Sequence, residues 1–303
     1  MTPPTTASFL LSASVSDFTI QRIQKEPGLR ARALLFVFYS SHMPRTVVSQ
    51  ISDPHIPGPG DELFASSDPV GNLTAALQHA AQRSTAVVIT GDCVARAGTE
   101  NEYRGFSQVI DSVDVDVLLC AGNHDESQRL QFTYSLPNNN GRLDYVTPLP
   151  DGQLIVMDSS RLGREDGVLD DDQLNWLHTA LAGGVPSLIA MHHPCFAIGG
   201  PALSSVRLDD ASIAGLADVV SQHNVLAVVS GHAHMTISSP FAGTTAYICP
   251  SVAYEFAFRG RDLIYRPGLP QYMEYSWGTD GSNFLAKVVT VADNSAWLVM
   301  ESF

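Results

Sequence analysis

The sequence predicts an α/β fold that gives way to a β-rich C-terminal part at about residue 235. Three observations predict it. Short apolar, β-branched runs alternate with segments of helical spacing up to that point. Five of the runs end in polar clusters: Asp53-Pro54-His55, Gly91-Asp92, Gly122-Asn123-His124-Asp125, His192-His193-Pro194 and Gly231-His232-Ala233-His234. Beyond them lie further strand-like runs separated by turns, with no helical spacing. Polar clusters at the ends of several strands are the arrangement of an active site at the carboxyl edge of an α/β sheet.

Thr46 to Ser52 is rich in β-branched residues and predicts the first strand. Asp53 and His55 follow it two residues apart. On an extended segment they point the same way and can grip one ion, with Pro54 stiffening the link. Ile56 to Gly60 is a Pro- and Gly-rich loop. Pro69 to Arg83 has apolar residues at helical spacing (Val70, Leu73, Ala76, Leu77, Ala80), with His79 at its surface or boundary. Ala86 to Thr90 is a strand, Asn101 to Val113 a helix, and Val115 to Ala121 the strand that delivers the Asn123-His124 turn. A helix is predicted over Asp125 to Tyr134, then a turn-rich insertion at Asn138 to Gly141.

Leu154 to Met157 is a strand ending in Asp158-Ser159-Ser160. Asp170, Asp171 and Asp172 open a helix through Ala182, where carboxylates suit the positive end of the dipole and read as caps. Trp176 and Leu177 form its apolar face, and His178 is exposed. Ser187 to Met191 is a strand, Ala211 to Gln222 a helix, and Val225 to Ser230 a strand. Met235 to Ser239, Thr244 to Cys249, Phe284 to Val291 and Ala296 to Met300 are the predicted strands of the C-terminal part.

Composition narrows the function. The chain has 303 residues, 45% of them apolar, enough for one large domain or two small ones. A formal net charge of −14 makes it a poor partner for a nucleic-acid polymer or an anionic membrane surface. The four cysteines, Cys93, Cys120, Cys195 and Cys249, form no Cys-x-x-Cys pair and read as buried reduced thiols, which fits a cytoplasmic compartment. There is no run of about 18 apolar residues, so no membrane span is predicted. The chain divides into an N-terminal extension, 1–42, and one domain, 43–303. The extension shows no strand-and-turn rhythm and contributes no candidate ligand; it is either flexible or lies upstream of a start at Met43. A homodimer is compatible with the sequence.

The candidate ligands are Asp53, His55, Asp92, Asn123, His192, His232 and His234. Seven groups are too many for one zinc ion but suit two ions sharing a bridging carboxylate. Asp92 has two oxygens and can bridge. The mixed oxygen and nitrogen set suits manganese, iron or zinc, as divalent or di/trivalent pairs, better than calcium or magnesium. Two divalent ions against two carboxylates and a bridging hydroxide leave a net charge of about +1, which attracts a phosphate anion.

The ordered set Asp-x-His, Gly-Asp, Gly-Asn-His-Asp, His-x-Pro and Gly-His-x-His resembles the calcineurin-like metallophosphoesterase superfamily, over about residues 46 to 250. The segments Asp158-Ser159-Ser160, Gly167 to Leu177 and Ser230 to His234 look most like its class III cyclic-nucleotide phosphodiesterases. The resemblance implies a four-layer sandwich, two mixed β-sheets flanked by helices, with a two-metal site. It implies one metal held by Asp53, His55, Asp92 and His234, and another by Asp92, Asn123, His192 and His232. It implies that His124 protonates the leaving oxygen and that Asp125 helps orient the turn. His193 is then a supporting or structural residue. The implied activity is hydrolysis of a small phosphodiester, of the 3′,5′-cyclic AMP type, by attack of a metal-bridging hydroxide. A glycerophosphodiesterase or broad-specificity phosphatase of the same fold is the alternative. A non-enzymatic scaffold expects missing ligands, and none is missing. An amidohydrolase arranges its histidines differently. Cys93-Val94-Ala95-Arg96 departs from the superfamily by lacking an acidic residue often seen there, which leaves Arg96 either touching substrate or facing solvent.

Overall fold

The computed structural model describes residues 46–58, 60, 67–96, 98–161, 163–200 and 203–291. The extension over 1–42 and the strand expected at Ala296 to Met300 lie outside the described residues. In chain order the elements are β1 (Thr46–Ile51), α1 (Pro69–Ala81), β2 (Ala86–Thr90), α2 (Glu100–Ile110), β3 (Val117–Cys120), α3 (Ser127–Tyr134), β4 (Tyr145–Leu149) and β5 (Gly152–Val156). They continue with α4 (Asp171–Leu181), β6 (Ser187–Ala190), α5 (Asp210–Ser221), β7 (Val225–Ser230), β8 (Ile237–Phe241), β9 (Thr244–Ile248), β10 (Tyr254–Arg259), β11 (Asp262–Pro267), β12 (Gln271–Trp277) and β13 (Leu285–Thr290).

Two mixed sheets result. One has the order β13-β12-β1-β2-β3, the other β4-β5-β6-β7-β9-β8. The pairs β1–β2, β2–β3, β5–β6, β6–β7 and β7–β9 are parallel, and α1, α2, α4 and α5 make the crossovers of the first four. Alternation along the second sheet sets the layers. Leu154, Val156, Leu188, Ala190, Ala227 and Val229 join the apolar cluster that contains β1, β2 and α1. Their neighbours Ile155, Ile189 and Val228 join a second cluster with Leu177 and Leu181 of α4 and Leu216 of α5. The order is therefore helices, sheet, sheet, helices, as the resemblance implied.

Local chemistry fixes the helix starts. Asp68 accepts the Gly71 N–H at 2.9 Å ahead of α1. Thr99 with Glu102, and Asp170 with Gln173, form capping boxes at α2 and α4. The carboxylate of Asp170 thus acts as a cap. In α1, Leu73, Ala76, Leu77 and Ala80 are buried, but Val70 is exposed.

The C-terminal part holds more strands than the sequence suggested. β12 is buried along its whole length, lies antiparallel to β1 and places Glu274 opposite Lys287 of β13. Its Gln271, Glu274 and Ser276 are polar yet buried, so its pattern does not read as a core strand. Among the described residues β10 and β11 form a two-stranded sheet of their own, and Phe256 N–H of β10 donates to His234 O at 3.0 Å. The edge strand β4, built on a Pro-containing segment, was also not expected.

Candidate metal centre

The turns that end β1, β2 and β3 of one sheet meet those that end β6 and β7 of the other. Backbone hydrogen bonds lace the first two together: Asp53 N–H donates to Gly91 O at 3.2 Å and His55 N–H to Asp92 O at 2.9 Å. Asp53 also spans the two sheets, accepting the His232 N–H at 2.9 Å and the Ser52 hydroxyl at 2.6 Å. The segment after β1 is not extended, contrary to expectation. Asp53 and His55 have φ of 50° and 43°, and Asp92, His232 and His234 also take positive φ, at 49°, 65° and 52°. Five candidate ligands in this sparsely populated region are held there by the surrounding bonds, a strain that clusters at functional sites.

Two glycines make room. A Cβ on Gly122 would collide with the Asp92 carboxylate. Gly91, at φ 87°, lies against the His192 ring, where a Cβ would collide as well.

Asp53, His55, Asp92 and His234 form one buried donor group, and His192, His193 and His232 another, each with donor atoms within 4.8 Å of one another. Asp92 lies between the two. Its Oδ2 is 3.5 Å from His55 Nε2 and its Oδ1 is 3.4 Å from His192 Nε2. Asn123 Oδ1 is 3.1 Å from His192 Nε2, which is 3.0 Å from His232 Nδ1. His193 shares a 2.9 Å hydrogen bond between its Nδ1 and Ser159 Oγ.

The imidazoles are oriented by their far nitrogens. His192 Nδ1–H donates to Thr90 O at 2.8 Å, His232 Nε2–H to Glu165 O at 2.9 Å, and His234 Nδ1–H to Tyr254 O at 2.9 Å. Neutral rings held this way present lone pairs to one another across about 3 Å. A cation or a shared proton relieves that opposition, so the donor set fits a metal pair.

Electrostatics agree. Burial alone would raise Asp53, but His234 beside it holds it well below the usual carboxylate range. Burial would likewise raise Asp92, and His192 and His55 outweigh it. Burial pushes His55 down to about 3 and, with His192 beside it, His232 down to about 4. His192 goes the other way: burial is outweighed by Asp92 and Asp53, which raise it.

His124 donates its backbone N–H to Asp92 Oδ1 at 2.9 Å and its Nδ1–H to Ala95 O at 2.8 Å. Its ring meets His55 edge-on, with centroids 4.8 Å apart. Asp125 turns inward. Its carboxylate accepts Gly122 N–H at 2.9 Å, Cys93 N–H at 3.1 Å and the Tyr103 hydroxyl at 3.1 Å. Burial and the Asp92 charge raise it to about 6. Arg96 is exposed. Cys93, Cys120, Cys195 and Cys249 are buried free thiols.

Residues 47–236 match the family of calcineurin-like phosphoesterases. The chain belongs to that family. Among curated relatives of this phosphoesterase, a probable cyclic nucleotide phosphodiesterase of Rhodococcus erythropolis is 30% identical over 70% of the chain and 72% of its own length. A cAMP/cGMP dual specificity phosphodiesterase of Mycobacterium tuberculosis is 28% identical over 70% and 69%. A glycerophosphodiester phosphodiesterase of Enterobacter lignolyticus is 26% identical over 71% and 81%. Among solved structures, a dimetal phosphatase from Danio rerio matches with a TM-score of 0.56 and 14% identity, covering 82% of this chain and 100% of that one.

Sequence reasoning missed Tyr254 in this phosphoesterase. Its ring stacks on His55 and tilts over His234, with centroids 5.3 Å and 4.3 Å away. The alternating aromatics Tyr254, Phe256 and Phe258 were the available signal of a strand. Glu165 was also missed, because it reaches His232 through its backbone carbonyl, which no side-chain pattern reports.

Proposed function

We propose that this chain is a binuclear metal-dependent phosphodiesterase whose favoured substrate is a cyclic nucleotide of the 3′,5′-cyclic AMP type. The observation that carries it is Asp92, with one oxygen toward each of two converging donor groups. Asp53, His55, Asp92 and His234 would hold one ion, and Asp92, Asn123, His192 and His232 the other, with manganese, iron or zinc suiting the donors. When bound, such a pair supplies Lewis acidity and lowers the pKa of a coordinated water.

The chain's own residues supply the rest. His124 is fixed by Ala95 O at Nδ1, which leaves Nε2 to face the phosphate. In the step, the water oxygen bonds to phosphorus and gives up one proton to solvent as the bond to the leaving oxygen breaks. His124 Nε2–H gives its proton to that leaving oxygen. Asp125 holds the Gly122 and Cys93 amides and so keeps the Asn123-His124 turn aimed at the site. The names of the Rhodococcus and Mycobacterium relatives support a cyclic nucleotide, and the Enterobacter relative supports a glycerophosphodiester as the second reading. Four free buried thiols support a cytoplasmic setting. No helix among the described residues is long and apolar enough to cross a membrane.

The test is metal reconstitution of the purified chain followed by a panel of 3′,5′-cyclic AMP, 2′,3′-cyclic AMP and a glycerophosphodiester. Metal-dependent hydrolysis, with the 3′,5′ compound turned over best, supports the reading. Binding of metal without hydrolysis of any diester contradicts it.

A further inference from the structure

We propose that a cavity beside the metal centre receives the uncharged, hydroxyl-bearing arm of the phosphodiester, a ribose or a glycerol. This rests on the phosphodiesterase reading above. The cavity has a volume of about 240 Å³ and lies between the first turn of α3 and the end of β5. Ser127 and Gln128 form one wall, and Asp158, Ser160 and Arg161 the other.

Asp125, which lines the cavity and accepts the Gly122 N–H, ties it to the turn that carries Asn123 and His124. Ser127 is four residues past Asn123, so the chain places it within roughly 14 Å of that ligand. Ser160 follows Ser159, whose hydroxyl bonds to His193 beside His192.

The polar atoms of the cavity select the arm. Its charged groups are already engaged. Arg161 donates to Ser160 O at 2.7 Å and to Gln173 Oε1 at 2.7 Å. Arg142 pairs with Asp170 at 2.8 Å. Asp158 accepts the Ser160 N–H and hydroxyl, at 3.1 Å and 2.7 Å. Glu126 pairs with Arg129 at 2.8 Å. The remaining capacity belongs to neutral groups. Among the described residues the Ser127 hydroxyl meets Ser160 Oγ alone, at a long 3.4 Å. The Gln128 amide is exposed at the mouth. A hydroxyl and an amide recognise hydroxyls, each as donor and acceptor. Both guanidiniums that line it, Arg142 and Arg161, already share the Asp170 carboxylate. At 240 Å³ the space falls below the roughly 300–1,000 Å³ that encloses a drug-sized ligand. It therefore takes a sugar or polyol and leaves a nucleobase outside.

The experiment compares Mn²⁺-loaded wild type with the Ser127→Ala/Gln128→Ala double variant, both at partly exposed positions. The substrates are 3′,5′-cyclic AMP, glycerophosphoethanolamine and bis(p-nitrophenyl) phosphate, whose arms carry no aliphatic hydroxyl. The KM ratio of a hydroxylated substrate to the p-nitrophenyl diester should rise about tenfold, as expected for losing one or two neutral hydrogen bonds, with little change in kcat. A rise for cyclic AMP alone assigns the cavity to ribose, and for the glycerol ester alone to glycerol. An unchanged ratio overturns the proposal. If the wild type hydrolyses none of the three, the phosphodiesterase reading fails, and calorimetry decides the cavity separately. Glycerol 3-phosphate and AMP should then bind more tightly than inorganic phosphate, by a margin that shrinks in the variant. An equal margin in both proteins overturns the proposal.

Discussion

Asp92 Oδ1 accepts the backbone N–H of His124 at 2.9 Å, so the carboxylate between the two donor groups also anchors the residue proposed to protonate the leaving oxygen. The bond uses the main chain of His124 and leaves its ring free for other work. Removing the ring and removing the carboxylate should therefore give different phenotypes.

His124→Ala keeps the amide that Asp92 needs. Metal content should match the wild type, while kcat falls by about 10²–10⁴-fold, most on diesters with poor leaving groups. The check is metal analysis beside kcat for p-nitrophenyl and alkyl esters. Equal losses on both ester types would limit His124 to positioning.

Asp92→Ala removes a carboxylate that faces both His55 and His192. Bound metal should fall from two ions per chain toward none, and turnover should vanish. A variant that retains both ions and a normal rate removes Asp92 from the bridging role.

Tyr254 supports the other side. Tyr254→Phe keeps the ring that packs on His55 and His234, and Tyr254→Ala removes it. The alanine variant should bind Mn²⁺ about 10- to 100-fold more weakly, the range for losing a group that orients ligands, and the phenylalanine variant should remain near wild type. Calorimetric titration of Mn²⁺ separates them. Equal weakening in both would shift the role from the ring to the hydroxyl.

Acid should release the metal through His192. In the metal-free protein Asp92 and Asp53 hold its pKa above the ordinary value, whereas His55 and His232 are pushed to about 3 and about 4 and are already neutral near pH 7. A proton on His192 competes with the ion, so affinity rises with pH through the raised His192 value and is lost below it. Titrations in buffers of different ionisation enthalpy should detect release of about one proton, not three. Release of three would mean that burial does not keep His55 and His232 neutral.

The donors were legible in the sequence because each sits in a short polar cluster directly after an apolar strand. Asp53, His55, Asp92, Asn123, His192, His232 and His234 converge in the folded chain, with Asp92 at their centre. The backbone around them was not legible. The positive φ at Asp53 and His55 is imposed by bonds to Gly91 and Asp92, which lie about 40 residues downstream. β12 was hidden for a related reason. Gln271 and Glu274 look solvent-facing until Glu255 and Lys287 arrive from other strands to pair with them. Tyr254 belongs to the same class, since its ring matters only because the hairpin carries it onto His55 and His234.

The central claim is metal-dependent hydrolysis of a diester. Its most direct measurement is a pair of steady-state curves at neutral pH with Mn²⁺ supplied, for bis(p-nitrophenyl) phosphate and for p-nitrophenyl phosphate. A diester brings one negative charge to a site of about +1, whereas a monoester dianion can lie across both ions and exclude the water nucleophile. The kcat/KM should be higher for the diester, activity should be lost on chelation and restored by Mn²⁺, and inorganic phosphate should inhibit. A clear preference for the monoester, or diester hydrolysis that survives chelation, would contradict that claim.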